Sequence, residues 1–316
     1  MSTARTTIHL LSLLVTLAGS SVMAAGAQAF STPEQATQAL VEAAATDEVG
    51  PVLGVLGTDA RPLLDSGDAV ADDAALQRFV DKYNQAHALV APDDATRKLI
   101  LGDDDWPFPI PLVKTSAGWV FDTKAGQTEI LARRVGRNEL DTIQVCLNYV
   151  QAQREYREMN PEGDAVPHYA SKFISAAGKH DGLYWPVEPG KPESPFGPAV
   201  GGARVEGYDV QAGKRIPYHG YFYRILTAQG SHADGGAISY LVKGKLTGGF
   251  ALVAYPATYG NSGIMTFLVN QAGVVFQKNL GPNTAALAAA MKSFDPDKSW
   301  KPTGPPPDEG PAPVRP

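Results

Sequence analysis

The sequence predicts an α+β protein, in which N-terminal helices and a small sheet precede a long central helix packed on a C-terminal antiparallel sheet. Apolar residues recur at helical spacing near the start of the chain and again over residues 128–158. Four short apolar runs, bounded by Gly, Pro, Asn or Asp, follow in the last third. Helices and strands grouped in separate stretches are typical of the α+β class.

The first elements are mostly helical. A helix is predicted over 33–47, with Ser31 or Thr32 as its cap and a proline in its first turn. A second helix is predicted over 72–88, where apolar side chains recur on one face. Short strands are then predicted over 97–101, 110–114 and 119–122, and the last two form a hairpin.

The central helix is predicted over 128–158. Gly136 is expected to divide it, so that Asn138 caps a second piece with Asp141 three residues later. The apolar stripe that is expected to meet the sheet consists of Leu140, Ile143, Leu147 and Val150.

The last third is predicted to form the sheet. Residues 186–202 are rich in Pro and Gly and are expected to be extended and solvent-facing. Residues 250–255 are apolar at every position, which predicts a central strand. The strands are expected over 221–227, 249–255, 264–270 and 274–278, and a short helix over 284–291.

The predicted organisation has four parts: a signal peptide (1–29), an N-terminal α+β part (30–127), the central helix with the antiparallel sheet (128–300) and a Pro-rich disordered tail (301–316). Arg5, an apolar run and the small-x-small ending of Ala27-Gln28-Ala29 are typical of a cleaved signal. The apolar run is shorter than the roughly 20 residues that span a bilayer. We therefore expect a periplasmic or secreted protein without stable membrane insertion after cleavage.

Composition restricts the partners. The formal net charge of −6 argues against nucleic-acid binding. Cys146 is the single cysteine, so no intramolecular disulfide forms, and its apolar neighbours predict a buried thiol. No catalytic or cofactor-binding signature occurs, and the histidines show no metal-ligand spacing, so neither a metal nor a cofactor is predicted. The acidic run 103–105 is expected to be a solvated turn.

Three arginines precede the second piece of the predicted central helix: Arg133, Arg134 and Arg137. Acidic residues lie at helical offsets from them, which favours ion pairs along the helix with Glu129, Glu139 or Asp141. Binding of an anionic ligand is the alternative.

Aromatic residues beside polar loops give the candidate ligand-binding site. Asp181, Tyr184 and Trp185 lie in one turn, and His219 and Tyr221 lie at the start of a predicted strand. Exposed aromatic side chains next to polar groups are common in ligand sites. Aromatic side chains buried where a loop closes over a core are the commoner alternative. Catalytic residues are not assigned.

Several long motifs are similar to a known family. The segments are DWPFPIPL (105–112), WVFD (119–122), RRVGRNEL (133–140), DGLYWP (181–186) and GGFALVAYP (248–256). Together they resemble the bacterial exported domain-of-unknown-function family 2950 over nearly the whole mature chain. The resemblance implies export and no particular activity. The order of helix and strands in the second half is also similar to the globular head of type IV pilins and pseudopilins.

These observations favour an exported, non-enzymatic binding or structural accessory protein with an unknown protein or glycan partner in the cell envelope. The alternative is a hydrolase of envelope polysaccharide or peptidoglycan that uses carboxylates near Asp181 together with His219.

Overall fold

The computed structural model describes residues 26–187, 190, 192–209 and 215–304. The predicted signal peptide falls almost wholly outside these residues. Of the predicted disordered tail, 301–316, only residues 301–304 are described, and Lys301–Pro302 form a short paired strand. The helices are α1 Pro33–Ala44, α2 Val49–Leu56, α3 Arg61–Leu64, α4 Ala69–Gln85, α5 Thr123–Met159, α6 Gly197–Val205 and α7 Thr284–Ala290. The strands are β1 His87–Asp93, β2 Thr96–Leu101, β3 Trp106–Pro107, β4 Leu112–Thr115, β5 Gly118–Phe121, β6 Tyr221–Leu226, β7 Ala228–Gln229, β8 Ile238–Ser239, β9 Leu241–Val242, β10 Lys245–Leu246, β11 Ala251–Pro256, β12 Met265–Asn270, β13 Phe276–Asn279 and β14 Lys301–Pro302. The α+β class is confirmed.

The N-terminal half packs helices α1 to α4 against an antiparallel sheet in the order β1-β2-β4-β5, with β3 beside β2. Helix α1 begins where predicted, because the Thr32 hydroxyl accepts a hydrogen bond from the Gln35 amide at 3.2 Å. The β4–β5 hairpin is confirmed. Buried side chains from both layers form this core, among them Leu40, Val52, Leu56, Ile110 and Phe121.

Strand β1 is missing from the sequence prediction, which extended the preceding helix to residue 88. Helix α4 ends at Gln85, and β1 pairs with β2 from His87 onward. Six of the seven β1 residues are exposed. An edge strand with so few buried side chains lacks the alternating apolar pattern that identifies strands, and cross-strand pairing decides its conformation instead.

Helix α5 is continuous over 37 residues and so extends about 55 Å at 1.5 Å per residue. The expected break at Gly136 is wrong, because a single exposed glycine costs a helix only about 1 kcal/mol. Asn138 is no cap; its side chain donates to the Ser262 carbonyl at 2.9 Å. The helix begins at Thr123, so the predicted boundary after residue 127 falls within its first turns.

The apolar stripe of α5 is confirmed in part. Val150 is buried, and Ile143 and Leu147 pack against the same core. Leu140 is 70% exposed, so its predicted place on the stripe is wrong. Near Leu140 the buried residues of the helix are Asn138 and Thr142. Their side chains form hydrogen bonds with Ser262 and Tyr223 in the C-terminal half.

The C-terminal sheet is antiparallel in the order β14-β13-β12-β11-β6. Strand β11 lies between two neighbours and is buried at all six positions, as its apolar sequence predicts. Side chains of a strand alternate between faces. Accordingly, Leu252 and Ala254 pack on the α5 side, and Val253 and Tyr255 pack with α7 on the other side.

Within the Pro- and Gly-rich stretch before this sheet, residues 188, 189 and 191 lie outside the described residues. Residues Gly197–Val205 form α6 and bury Val200 and Ala203, so the prediction of a solvent-facing segment over 186–202 is wrong there. Pro198 sits in the first turn, where proline is compatible with a helix. Across the described ranges, none of the helices combines the length and the apolar character needed to cross a bilayer.

Candidate functional site

A cavity of about 630 Å³ lies between helices α1 to α4 and the first half of α5. The cavity exists because α4 packs loosely on the helices beneath it: Tyr83 is the only residue of α4 that is buried. Leu76 and Phe79 of α4 line the cavity. The apolar wall consists of Leu40, Ala44, Val52, Leu56, Leu63, Leu64, Ala71, Ala75, Leu76, Phe79, Trp106, Phe108, Pro109, Ile110 and Ile130. Such a wall suits the apolar part of a small molecule.

Positively charged side chains border the same cavity. Three of them, Arg133, Arg134 and Arg137, come from α5, and Arg78 and Lys82 come from α4. Residues four apart lie on one face of a helix, which places Arg78 above Lys82 and Arg133 above Arg137. Asp72 is the only carboxylate among the lining residues.

Two of the cations already have partners. Arg133 pairs with Glu129 on the same helix, as predicted, and its guanidinium lies 5.3 Å from the centre of the Trp106 ring. Lys82 Nζ lies 2.7 Å from Asp104 Oδ1, within the predicted acidic turn. These pairs neutralise Arg133 and Lys82 from outside the cavity.

Arg134 is a structural link. Its guanidinium donates to the carbonyls of Pro62 and Leu63 and, at 2.5 Å, to Asn261 Oδ1. Asp72 Oδ1 lies 3.9 Å away. Burial lowers the pKa of the Arg134 guanidinium, because the charged form loses hydration.

Asp72 does not supply a free carboxylate to the cavity. Its Oδ2 accepts a hydrogen bond from the Ser66 amide at 2.8 Å. Burial raises the pKa of Asp72 above its usual value, although this hydrogen bond acts in the opposite direction. The Asp72 carboxylate therefore already interacts with the Ser66 amide and with the Arg134 guanidinium.

Arg78 and Arg137 remain without a counter-ion. Within the described ranges no carboxylate oxygen lies within 4.0 Å of either guanidinium. Partial burial lowers the pKa of Arg78, and the positive charge of Arg137 lowers it further. Both arginines line the same cavity and carry the same charge.

The ion pairs predicted for the other acidic residues of α5 do not form. Glu139 Oε1 instead accepts from the amides of Ile264 and Met265, each at 2.9 Å. Asp141 lies 3.7 Å from His219. Arg137 therefore pairs with neither Glu139 nor Asp141, and anion binding by this arginine stays a prediction.

The residues of the sequence-predicted binding site lie in two places. Asp181 Oδ2 is 2.5 Å from Lys172 Nζ, and its Oδ1 accepts from the Ala176 amide. Tyr184 and Trp185 are buried, and the Tyr184 hydroxyl accepts from Arg204 at 2.8 Å.

The second group lies by the middle of α5. Tyr221 is fully buried and donates from its hydroxyl to the Met265 carbonyl at 3.0 Å. His219 has a positive φ of 51° and lies 3.7 Å from both Asp141 and Glu206. Trp185 and Tyr221 are both buried in the core between α5 and the C-terminal sheet. Ligand binding by the five residues stays a prediction.

One cluster has the composition of a metal site. Ligand atoms of Glu162, Asp164 and His168 lie within 4.8 Å of one another. Lys245 Nζ lies 2.7 Å from Glu162, 2.7 Å from Asp164 and 3.1 Å from His168 Nε2. The ammonium group occupies the position of a cation, and the cluster is an ion-pair network.

Sequence reasoning missed the cavity and Arg78. The spacing of Arg78 and Lys82 beside Leu76 and Phe79 was visible, but the same pattern describes any amphipathic surface helix. Only the three-dimensional arrangement shows that residues of α4 and α5 line the same cavity, so that its apolar wall lies next to the unpaired arginines.

The family resemblance is confirmed by comparison with protein families. Residues 27–303 match the family described as "Protein of unknown function (DUF2950)", and the chain belongs to this family. No curated protein and no solved structure matches the chain, so the likeness to pilin heads is not shown.

Proposed function

We propose that the protein is an exported, non-enzymatic binding protein of the periplasm or the extracellular space, and that the cavity under α4 is its ligand site. The single observation that carries this proposal is the apolar cavity of about 630 Å³. Its volume falls in the range of roughly 300–1,000 Å³ that is usual for small-molecule sites.

The lining chemistry supports binding rather than turnover. The lining residues include no histidine and no cysteine. Their one carboxylate, Asp72, is engaged by Ser66 and Arg134, and Lys82 is paired with Asp104. General acid–base chemistry needs a titratable group within reach of the reacting atoms. The lining set offers walls and charges for holding a molecule instead.

The proposal is tested with N-phenyl-1-naphthylamine, a neutral probe that fluoresces in apolar surroundings. We expect saturable binding to the mature protein. The variant Ala75→Phe, which fills the cavity, is expected to weaken binding at least tenfold, and Ala132→Phe on the exposed face of α5 is the control. Absence of binding, or equal binding to both variants, would contradict the proposal.

A hydrolase of envelope polysaccharide or peptidoglycan is the competing function. It requires turnover that disappears in Asp181→Asn. Turnover of this kind would replace the proposed function.

Export is tested separately by intact-mass analysis of protein from the envelope and the culture fluid. We expect a chain that begins at Phe30, after the predicted cleavage site. Recovery of only the uncut chain from the cytosol would contradict export.

A further inference from the structure

The cavity combines two chemistries that one ligand must satisfy together. Its interior is walled by aliphatic and aromatic side chains, and two guanidinium groups at its border have no carboxylate partner among the residues that the structure describes. Apolar walls favour an occupant with a hydrocarbon part, because binding transfers that part from water to apolar surroundings. Two like charges at the border of an apolar cavity favour an occupant that brings a negative charge.

Resting on the proposed function, we infer that the occupant is a single-chain anionic amphiphile: its apolar chain lies under α4, and its carboxylate or phosphate head is held by Arg78 and Arg137. One head group placed between the two guanidinium groups would relieve their mutual repulsion. A planar guanidinium also offers paired donors that match the oxygens of carboxylate and phosphate.

The other cations do not compete for this role. Arg133 and Lys82 have carboxylate partners, and Arg134 is held by two carbonyls and Asn261. Arg78 and Arg137 are exposed at the border of the cavity. The head group therefore lies at the mouth, and the chain points inward.

The size of the cavity limits the occupant. At about 630 Å³ it suits a drug-sized molecule rather than a polymer. Free fatty acids and phosphate-headed single-chain lipids share the required chemistry, and the experiment separates them.

Competition against N-phenyl-1-naphthylamine compares decanoate, decyl phosphate, decanol and decyltrimethylammonium at about pH 8, where the carboxylate is ionised. We expect decanoate or decyl phosphate, or both, to displace the probe at concentrations at least tenfold below decanol. The stronger of the two identifies the head group.

The double variant Arg78→Gln/Arg137→Gln is expected to remove this advantage and to leave decanol unchanged. Arg154→Gln is the matched control. Arg154 is an exposed arginine of the same helix, and 17 residues separate it from Arg137, or about 25 Å along the axis. Raising the salt concentration from about 0.05 M to about 0.5 M should weaken the anions in the wild type and not in the double variant.

If neither decanoate nor decyl phosphate displaces the probe better than decanol, or if decyltrimethylammonium displaces it better than both anions, the inference is overturned and the proposed function stands. If the probe itself does not bind, both fail.

Discussion

The side-chain amide of Gln153 pairs with both main-chain polar groups of Ala170. Gln153 Oε1 accepts from the Ala170 amide at 2.8 Å, and Nε2 donates to the Ala170 carbonyl at 2.8 Å. Both residues are fully buried. The two hydrogen bonds attach the segment after α5 to the helix. They satisfy the Ala170 amide and carbonyl in the way that an adjacent β-strand would.

Replacing Gln153 with leucine should therefore destabilise the protein by about 2–4 kcal/mol, because two buried main-chain groups lose their partners. Urea denaturation measures the change. The control is Gln151→Leu, since Gln151 is exposed on the same helix and its side-chain amide donates to Glu155. Similar stabilities of the two variants would contradict the assigned role.

Two glycines of α5 should respond to alanine with opposite signs. Gly136 has open space around it, so Gly136→Ala should stabilise the protein by about 0.5–1 kcal/mol through helix propensity. A Cβ at Gly126 would lie 2.8 Å from the Ile110 Cα and from the Pro109 carbonyl oxygen. Gly126→Ala should therefore destabilise it, by about 1–3 kcal/mol. Thermal denaturation of both variants tests the pair, and a change of the same sign in both would be inconsistent with this packing.

Cys146 should be inert in the folded protein. Burial raises the pKa of its thiol to about 12, whereas an unfolded cysteine titrates at about 8.5. At about pH 8 the thiolate fraction in the folded state is lower by roughly 10³-fold. A chromogenic disulfide reagent should detect one thiol in guanidinium chloride and almost none without it. Rapid reaction of the folded protein would show that the helix face carrying Cys146 is open.

The Lys245 network should make stability depend on pH. The hydrogen bond from Lys245 lowers the pKa of Asp164 below its ordinary value, and the same bond raises the pKa of Lys245. A lowered carboxyl pKa adds stability above the unfolded value of about 3.9, and this stability is lost as pH falls through the folded value. The raised lysine pKa adds stability that is present below about 10.4 and is lost as pH rises further.

Urea midpoints of the wild type and Lys245→Met measure this network. We expect the wild type to be the more stable at neutral pH, with a difference that shrinks below about pH 4. Lys98→Met, at an exposed strand position, should show no such pH dependence. A difference that is constant from pH 7 to about pH 3 would refute the ion-pair interpretation.

Much of the fold follows from residue pattern. The apolar positions of β11 predict a strand covered on both faces, and α7 and α5 provide that cover. The exposed strand β1 and the Pro-containing helix α6 lack such a pattern, and only neighbouring segments determine them. Local spacing is informative where burial is periodic along the chain.

The candidate site was less accessible to sequence reasoning. The pair of Arg133 and Glu129 follows from helical spacing, because both residues lie on one helix. The link between Arg134 and Asn261 joins residues 127 positions apart, which no local pattern encodes. The same holds for Arg78 and Arg137, whose proximity depends on how two helices pack.

Helix α5 also governs where this chain can be cut or joined. Its first half closes the cavity and its second half carries the core beneath the C-terminal sheet. A fragment that ends near residue 127 would lose one side of the cavity, and the remaining fragment would begin inside a helix. Gene fusions are therefore best placed beyond residues 26–304, and an exchange of halves between relatives would have to keep α5 intact.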